Sequence, residues 1–134
     1  MKSVTIVADD RVGLLADISY ILGKSGVNID GLYVDVVAGK AVISLEIKDP
    51  RKASEVLYRN GFQTTNPEAI VIKISNNRFD DVTDLLQEEQ IEVKTFSTLS
   101  SDAEEGIFAI HVDKPRKAFK VLTPFILGNT QPYY

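Results

Sequence analysis

The chain has 134 residues, 44% hydrophobic and 25% charged, with no cysteine and a net charge of −4. That is the length of one ordinary domain or two small ones with a soluble-type composition, and it excludes disulfides, thiolate metal sites and cysteine nucleophiles. The charge is uneven, 8 basic against 8 acidic residues over 1–66 and 7 against 11 over 67–134, so neither half carries the basic footprint of a nucleic-acid surface.

Ser3–Ala8 is a β-rich run stopped by Asp9-Asp10, which predicts a strand. The segment before it is too short, and turns acidic too early, for a secretory leader. No apolar run reaches the length of a membrane span. The expected location is therefore the cytoplasm. From Gly13 to Lys24 the apolar period lengthens: Leu14, Ile18 and Ile21, with Leu15 and Leu22, form one helix face. Ser25-Gly26 ends that helix, glycine suiting a left-handed cap. Val27–Val37 reads as extended, and Ala38-Gly39-Lys40 as a hairpin turn. Ala41–Ile47 alternates, with Ala41, Ile43, Leu45 and Ile47 on the inward face. Asp49-Pro50 fits an N-cap followed by proline at the first helical position, for a helix running to Asn60-Gly61. A short strand at Phe62–Thr65 and an Asn66-Pro67 linker follow.

The second half repeats the first. Pro50-Arg51-Lys52-Ala53-Ser54-Glu55-Val56-Leu57 returns as Pro115-Arg116-Lys117-Ala118-Phe119-Lys120-Val121-Leu122, with six identities in eight positions at an offset of 65. Ala69–Ile74 is the matching strand; Phe79, Val82 and Leu86 mark a helix; Ile91–Thr98 is a strand and Ser100–Glu105 an exposed turn. Gly106–Val112 is a strand with Phe108, Ile110 and Val112 inward, and Lys114-Pro115 opens the last helix. Gly128–Tyr134 is too short and polar to assign as a closing strand. Tyr133-Tyr134 reads equally as a tail or a docking tag. A repeat of this length is a small domain used twice, here residues 1–66 and 67–134. Each copy reads βαββαβ. The expected fold class is α+β: two tandem ferredoxin-like domains, each an antiparallel sheet with helices on one face. Copies this small should lean on each other or on a second chain.

The loop Asp10–Gly13 feeds a helix N-terminus, where the N–H groups of Gly13, Leu14 and Leu15 are expected to lack intrahelical partners and to favour a carboxylate. Gly13 lets a ligand approach the backbone, or serves loop geometry alone. Asp10 suits an ammonium, or caps the helix. Asn28 offers donors and an acceptor, or satisfies its own backbone in a turn.

Two motifs carry a family likeness. Asp10-Arg11-Val12-Gly13-Leu14-Leu15-Ala16-Asp17-Ile18 and Gly26-Val27-Asn28-Ile29 resemble the strand-to-helix loop and the second-strand start of the ACT domain. The likeness covers nearly the whole chain as two copies. It implies a βαββαβ regulatory module that binds an amino acid or a related metabolite, with the ligand between this loop and the second strand of a neighbouring copy. The site residues it implies are Asp10, Val12, Gly13, Leu14, Leu15, Asn28 and Ile29. It further implies no cofactor, a homo-oligomer such as a dimer, and a regulated protein partner. Stand-alone tandem ACT proteins, including transcriptional repressors of glycine cleavage, resemble regulators of that kind. The alternative it leaves open is an assembly subunit that acts by protein contact without a ligand.

The second copy departs from the motif. Ser75-Asn76-Asn77-Arg78-Phe79 replaces the first loop, Arg78 stands over Gly13, and Glu92 over Asn28. That copy is expected to be structural, or to lend a wall to the first site, although Asn76, Asn77 and Arg78 suit an anion. An enzyme would need a nucleophile or an acid–base pair. The only histidine, His111, alternates away from the inward set and reads as a surface or interface residue. No His/Asp/Glu spacing suggests a metal site. An RNA-binding sheet would need aromatics on its central strands, and Ala41–Ile47 has none.

Overall fold

The structure, a computed structural model, describes residues 3–66 and 68–127. The chain divides into two compact units, Met1–Pro67 and Glu68–Tyr134. The first runs β1 (Ser3–Asp9), α1 (Leu14–Lys24), β2 (Ile29–Val37), β3 (Lys40–Ile47), α2 (Pro50–Arg59), β4 (Gln63–Thr64). Its sheet is antiparallel in the order β2-β3-β1-β4. β1 lies against β3 with Ile6 opposite Ile43 and Val4 opposite Leu45. This row meets Leu14, Ile18 and Leu22 of α1 and Ala53, Val56 and Leu57 of α2 in one buried cluster, so both helices cover the same face. The helical stripe and the strand alternation predicted from sequence are the two halves of that core.

The second unit runs β5 (Ile70–Ser75), a 3-10 turn at Asn76–Arg78, α3 (Phe79–Glu88), β6 (Val93–Ser101), β7 (Glu105–Val112), α4 (Pro115–Val121) and a 3-10 turn at Thr123–Phe125. Its core joins Ile70, Ile72 and Ile74 to Val82 and Leu86, Ile110 and Val112, and Ala118 and Leu122. The described part of its sheet has three strands, β5-β7-β6, where the repeat implied four. The fourth position is marked by a bridge from Ile126 to Ile72 and by the Leu127 N–H donating to the Val71 carbonyl at 2.9 Å. The segment 128–134, where a closing strand or a docking tail was considered, lies outside the described residues, as does Pro67 of the linker.

Three expectations need correction. Ser100 and Ser101 belong to β6, not to the exposed turn, and Ser100 is buried. The register of β6 against β7 slips between Val93 and Thr95 and again between Thr98 and Ser100, and each slip breaks the alternation that a period-of-two reading depends on. In β3 and β7 burial does not alternate: Val42 and Ile107 are as inaccessible as the inward set, while Phe108 is only partly buried against the core. No helix among the described residues is long and apolar enough to cross a membrane.

Candidate functional site

The loop leaving β1 is fastened to the tip of the β2–β3 hairpin. Lys40 Nζ donates to Asp9 Oδ1, and the Asp10 N–H donates to the Gly39 carbonyl at 3.0 Å. The hydrogen bond and charge of Lys40 hold the Asp9 carboxyl below its ordinary pKa of 3.8. The chain then turns within Arg11–Leu14, where the Leu14 N–H donates to the Arg11 carbonyl at 3.3 Å. Gly13 sits at φ +83°, a left-handed conformation that explains glycine there. A Cβ at Gly13 would find only Arg11 Nη1, 3.9 Å away, so the space over the backbone is open.

Gly13 is also the cap position of α1, and no side chain caps the helix. Asp10 therefore does not serve as the cap. The first intrahelical bond runs from the Asp17 N–H to the Gly13 carbonyl at 2.9 Å. The Leu14 N–H, expected to be available, is taken by the turn. At this helix start the N–H groups of Gly13, Leu15 and Ala16 have no partner among the described residues. Around this mouth stand the exposed carboxylate of Asp10, the Arg11–Asp17 ion pair at 2.9 Å, the fully exposed Val12 and the partly exposed Leu15. The Leu14 side chain points into the core and is buried, so it offers a ligand nothing directly. Arg11 and Ala16 were not singled out from sequence. Arg11 was legible as the one cation beside the motif glycine; Ala16 was not, because its role is purely that of its backbone.

Asn28 and Ile29 lie elsewhere. Helix α1 ends at Lys24, Gly26 takes φ +75°, and the chain re-enters the sheet at Ile29, paired with Ile47. Asn28 is exposed, and its amide makes no hydrogen bond among the described residues. Ile29 is half-buried against the core. The Asp10 loop is held at the other end of β2, where Val37 pairs with Lys40. The eight steps from Ile29 to Val37 span roughly 26 Å at about 3.3 Å per residue. Within one unit, Asn28 and the Asp10–Gly13 mouth cannot touch the same small molecule.

In the second unit the corresponding loop is tied to its own hairpin, and no side chain caps α3 either. It is fastened to the β6–β7 hairpin by the Asn76 N–H to the Glu104 carbonyl at 2.8 Å and by Asn76 Nδ2 to the Ala103 carbonyl at 2.6 Å. Arg78 pairs with Asp81 at 3.2 Å and lies over the Phe125 ring at 4.8 Å. The rings of Phe79, Phe96 and Phe108 pack on one another with centroids 4.9 to 6.1 Å apart, joining the helix start to both strands. Glu92, over Asn28 in the repeat, is tied through its backbone: its N–H donates to Asp113 Oδ1 at 2.9 Å, and its carbonyl accepts from the Asp113 N–H at 3.1 Å. The first of these bonds holds the Asp113 carboxyl below its ordinary pKa.

No family model matches the chain, and no curated protein matches it. Among solved structures, protein BT0572 from Bacteroides thetaiotaomicron is similar at 19% identity, over 96% of this chain and 92% of that one, with a TM-score of 0.51. At that identity the likeness speaks for the fold, the tandem ferredoxin-like arrangement described above. An unknown protein from Galdieria sulphuraria matches at 16% identity over 92% of this chain and 89% of that one. The ligand-free regulatory subunit of aspartate kinase from Thermus thermophilus matches at 12% identity over 92% of this chain and 91% of that one. Both have TM-scores of 0.45 and carry no inference.

Proposed function

We propose that the chain is a non-enzymatic regulatory protein whose first copy, residues 1–66, binds an amino acid between the Asp10–Gly13 mouth of one chain and the Asn28 end of β2 of another. Residues 67–134 then form a degenerate copy that supports the first. The observation that carries this reading is the uncapped α1 mouth. Gly13 leaves its backbone open, the N–H groups of Gly13, Leu15 and Ala16 have no partner among the described residues, and the exposed Asp10 lies in the loop that leads into them. N–H donors and a helix dipole favour a carboxylate, a neighbouring Asp favours an ammonium, and an α-amino acid carries both. The unoccupied amide of Asn28 supplies the second wall, and it can do so only from a neighbouring copy, because β2 holds it a strand's length from its own loop. The resemblance of both motifs to the ACT domain points the same way. Binding that bridges two copies favours one arrangement of them, which is how occupancy would reach a regulated protein partner. We place this activity in the cytoplasm.

The test is thermal denaturation against the common amino acids at millimolar concentration. A ligand at 100 times its Kd stabilises by about 2.7 kcal/mol, a shift of several degrees. The expected result is a selective shift that Asn28→Ala and Gly13→Arg both remove. A shift that survives Gly13→Arg would overturn the site. No shift across the panel would favour the second reading, an assembly subunit without a ligand. That reading is supported by the second copy, where three phenyl rings stand at the corresponding helix start.

A further inference from the structure

Asn60-Gly61 is the single Asn-Gly pair in the chain. The other asparagines precede isoleucine, proline, asparagine, arginine or threonine, whose side chain or ring crowds the following peptide nitrogen. An asparagine carries its carboxamide close to its own backbone. The next peptide nitrogen can attack the carboxamide carbon and close a five-membered imide, which is one reason asparagine is a thermolabile residue. Glycine in second place removes the obstruction, because it has no Cβ and the widest choice of backbone conformations. The pair is reactive by its chemistry, and the fold decides whether it reacts.

Asn60 stands at the C-terminal cap of α2, with Gly61 at φ +84° closing the turn. Three features hold the pair away from ring closure. The ψ angle of Asn60 is 15°, so the residue's own nitrogen nearly eclipses the Gly61 nitrogen. Ring closure needs Cβ in that position, and Cβ is turned well away from it. The Gly61 N–H, whose proton must leave before attack, donates to the Tyr58 carbonyl at 3.0 Å. The Asn60 carboxamide points back along the helix, Nδ2 donating to the Val56 carbonyl at 2.7 Å. With the Phe62 N–H on the Leu57 carbonyl at 3.0 Å, these bonds occupy carbonyls that a helix end otherwise leaves open.

We propose that Asn60 is a modification site: it deamidates spontaneously, the last turn of α2 guards it, and the product loosens the first unit irreversibly. The step needs water and no catalyst. Once the turn opens, the deprotonated Gly61 nitrogen bonds to Asn60 Cγ and the Cγ–Nδ2 bond breaks. The amide leaves as ammonia, carrying the proton that Gly61 lost. Water then adds to one imide carbonyl and breaks its bond to the Gly61 nitrogen. Addition at Cγ leaves aspartate; addition at the main-chain carbonyl leaves isoaspartate, with the chain running through Cβ and Cγ. Either product sets a carboxylate against the Val56 carbonyl, at a helix end whose dipole disfavours negative charge. Isoaspartate also lengthens the main chain by one atom between α2 and β4. Leu57 and Phe62 pack on one core on either side of that atom, and Gln63 and Thr64 pair with Val7 and Ile6 of β1. The inserted atom strains both attachments. The proposal is independent of the ligand reading.

The experiment is incubation of the full chain in mildly alkaline buffer, folded and in concentrated urea, followed by peptide mass mapping and isoaspartate detection. In urea the peptide holding Asn60 should gain the mass of an amide-to-acid change while those holding Asn28 and Asn77 keep theirs. The folded chain should react at least about tenfold more slowly, since only locally open molecules react. Phe62→Ala, which keeps the Asn-Gly pair and removes a side chain that packs the turn on the core, should speed the folded reaction and leave the urea rate unchanged. Where that variant does not fold, hydrogen exchange of the wild-type Gly61 amide replaces it, and its protection should match the slowing of deamidation. Asn60→Asp should melt below the wild type. No mass gain at Asn60 in urea would overturn the site. Equal rates folded and unfolded would overturn the guard, and an Asn60→Asp melting point equal to the wild type's would overturn the loosening.

Discussion

Ala38 sits at φ 53°, a conformation that costs an L-residue about 1–2 kcal/mol and that asparagine tolerates better. Ala38→Asn, which creates the Asn-Gly pair such turns favour, should raise the unfolding free energy by about 1 kcal/mol in urea titration. Gly13→Ala should move the other way by about 1 kcal/mol. With only Arg11 Nη1 within 4 Å, its cost is conformational, not steric. The Asp9–Lys40 pair offers a pH test. The folded-state pKa of Asp9 is lowered, so its contribution is present above the unfolded value and is lost as pH falls through the folded one, below 3.8. In an NMR titration the Asp9 carboxyl should titrate below 3.8 and return upward in Lys40→Ala. An unchanged Asp9 titration in that variant would show that the pair does not exist in solution. Both glycine and turn were legible in the sequence. The strain at Ala38 was not, because alanine gives no signal of a left-handed backbone.

Helices α2 and α4 begin with the same Pro-Arg-Lys-Ala, yet they are not equally anchored. Asp49 caps α2, its Oδ1 accepting the Lys52 N–H at 3.1 Å; Lys114 occupies the cap position of α4 without capping it. Instead Lys114 Nζ reaches the Gln90 carbonyl, and its helix runs 7 residues where α2 runs 10. Asp49→Ala should therefore cost about 1 kcal/mol of stability, measured by denaturant unfolding. A loss within error would mean that proline and packing, not the cap, start the helix. The difference between copies was visible in sequence as Asp49 against Lys114, as were the apolar stripes that place α1 and α3 and the prolines that open α2 and α4. The end of β6 was not visible: its bulges shift side chains from one face to the other, and no residue type announces them. The burial of both faces of β3 and β7 was equally hidden, since alternation reports only one covered face.

Across the whole molecule, the order β1-α1-β2 already implies that Asn28 and the Asp10 loop lie at opposite ends, because the helix reverses the chain between them. The sequence motifs conceal this by standing only 18 positions apart, Asp10 to Asn28. What sequence could not supply is the edge: which strand is terminal, and which of its residues turn their backbones outward, follow from pairing partners far along the chain. That edge has a thermodynamic consequence. A unit of this size buries little core for its surface, so joining it to a second copy should contribute measurably to its stability. For a dimer that dissociates on unfolding, each tenfold rise in protein concentration adds about 1.4 kcal/mol to the unfolding free energy. Ile6 and Ile43 are buried in the first unit's core, so their NMR signals report that unit's transition. Its midpoint should climb by a few degrees per tenfold concentration. A midpoint independent of concentration would show that the first unit stands without a partner.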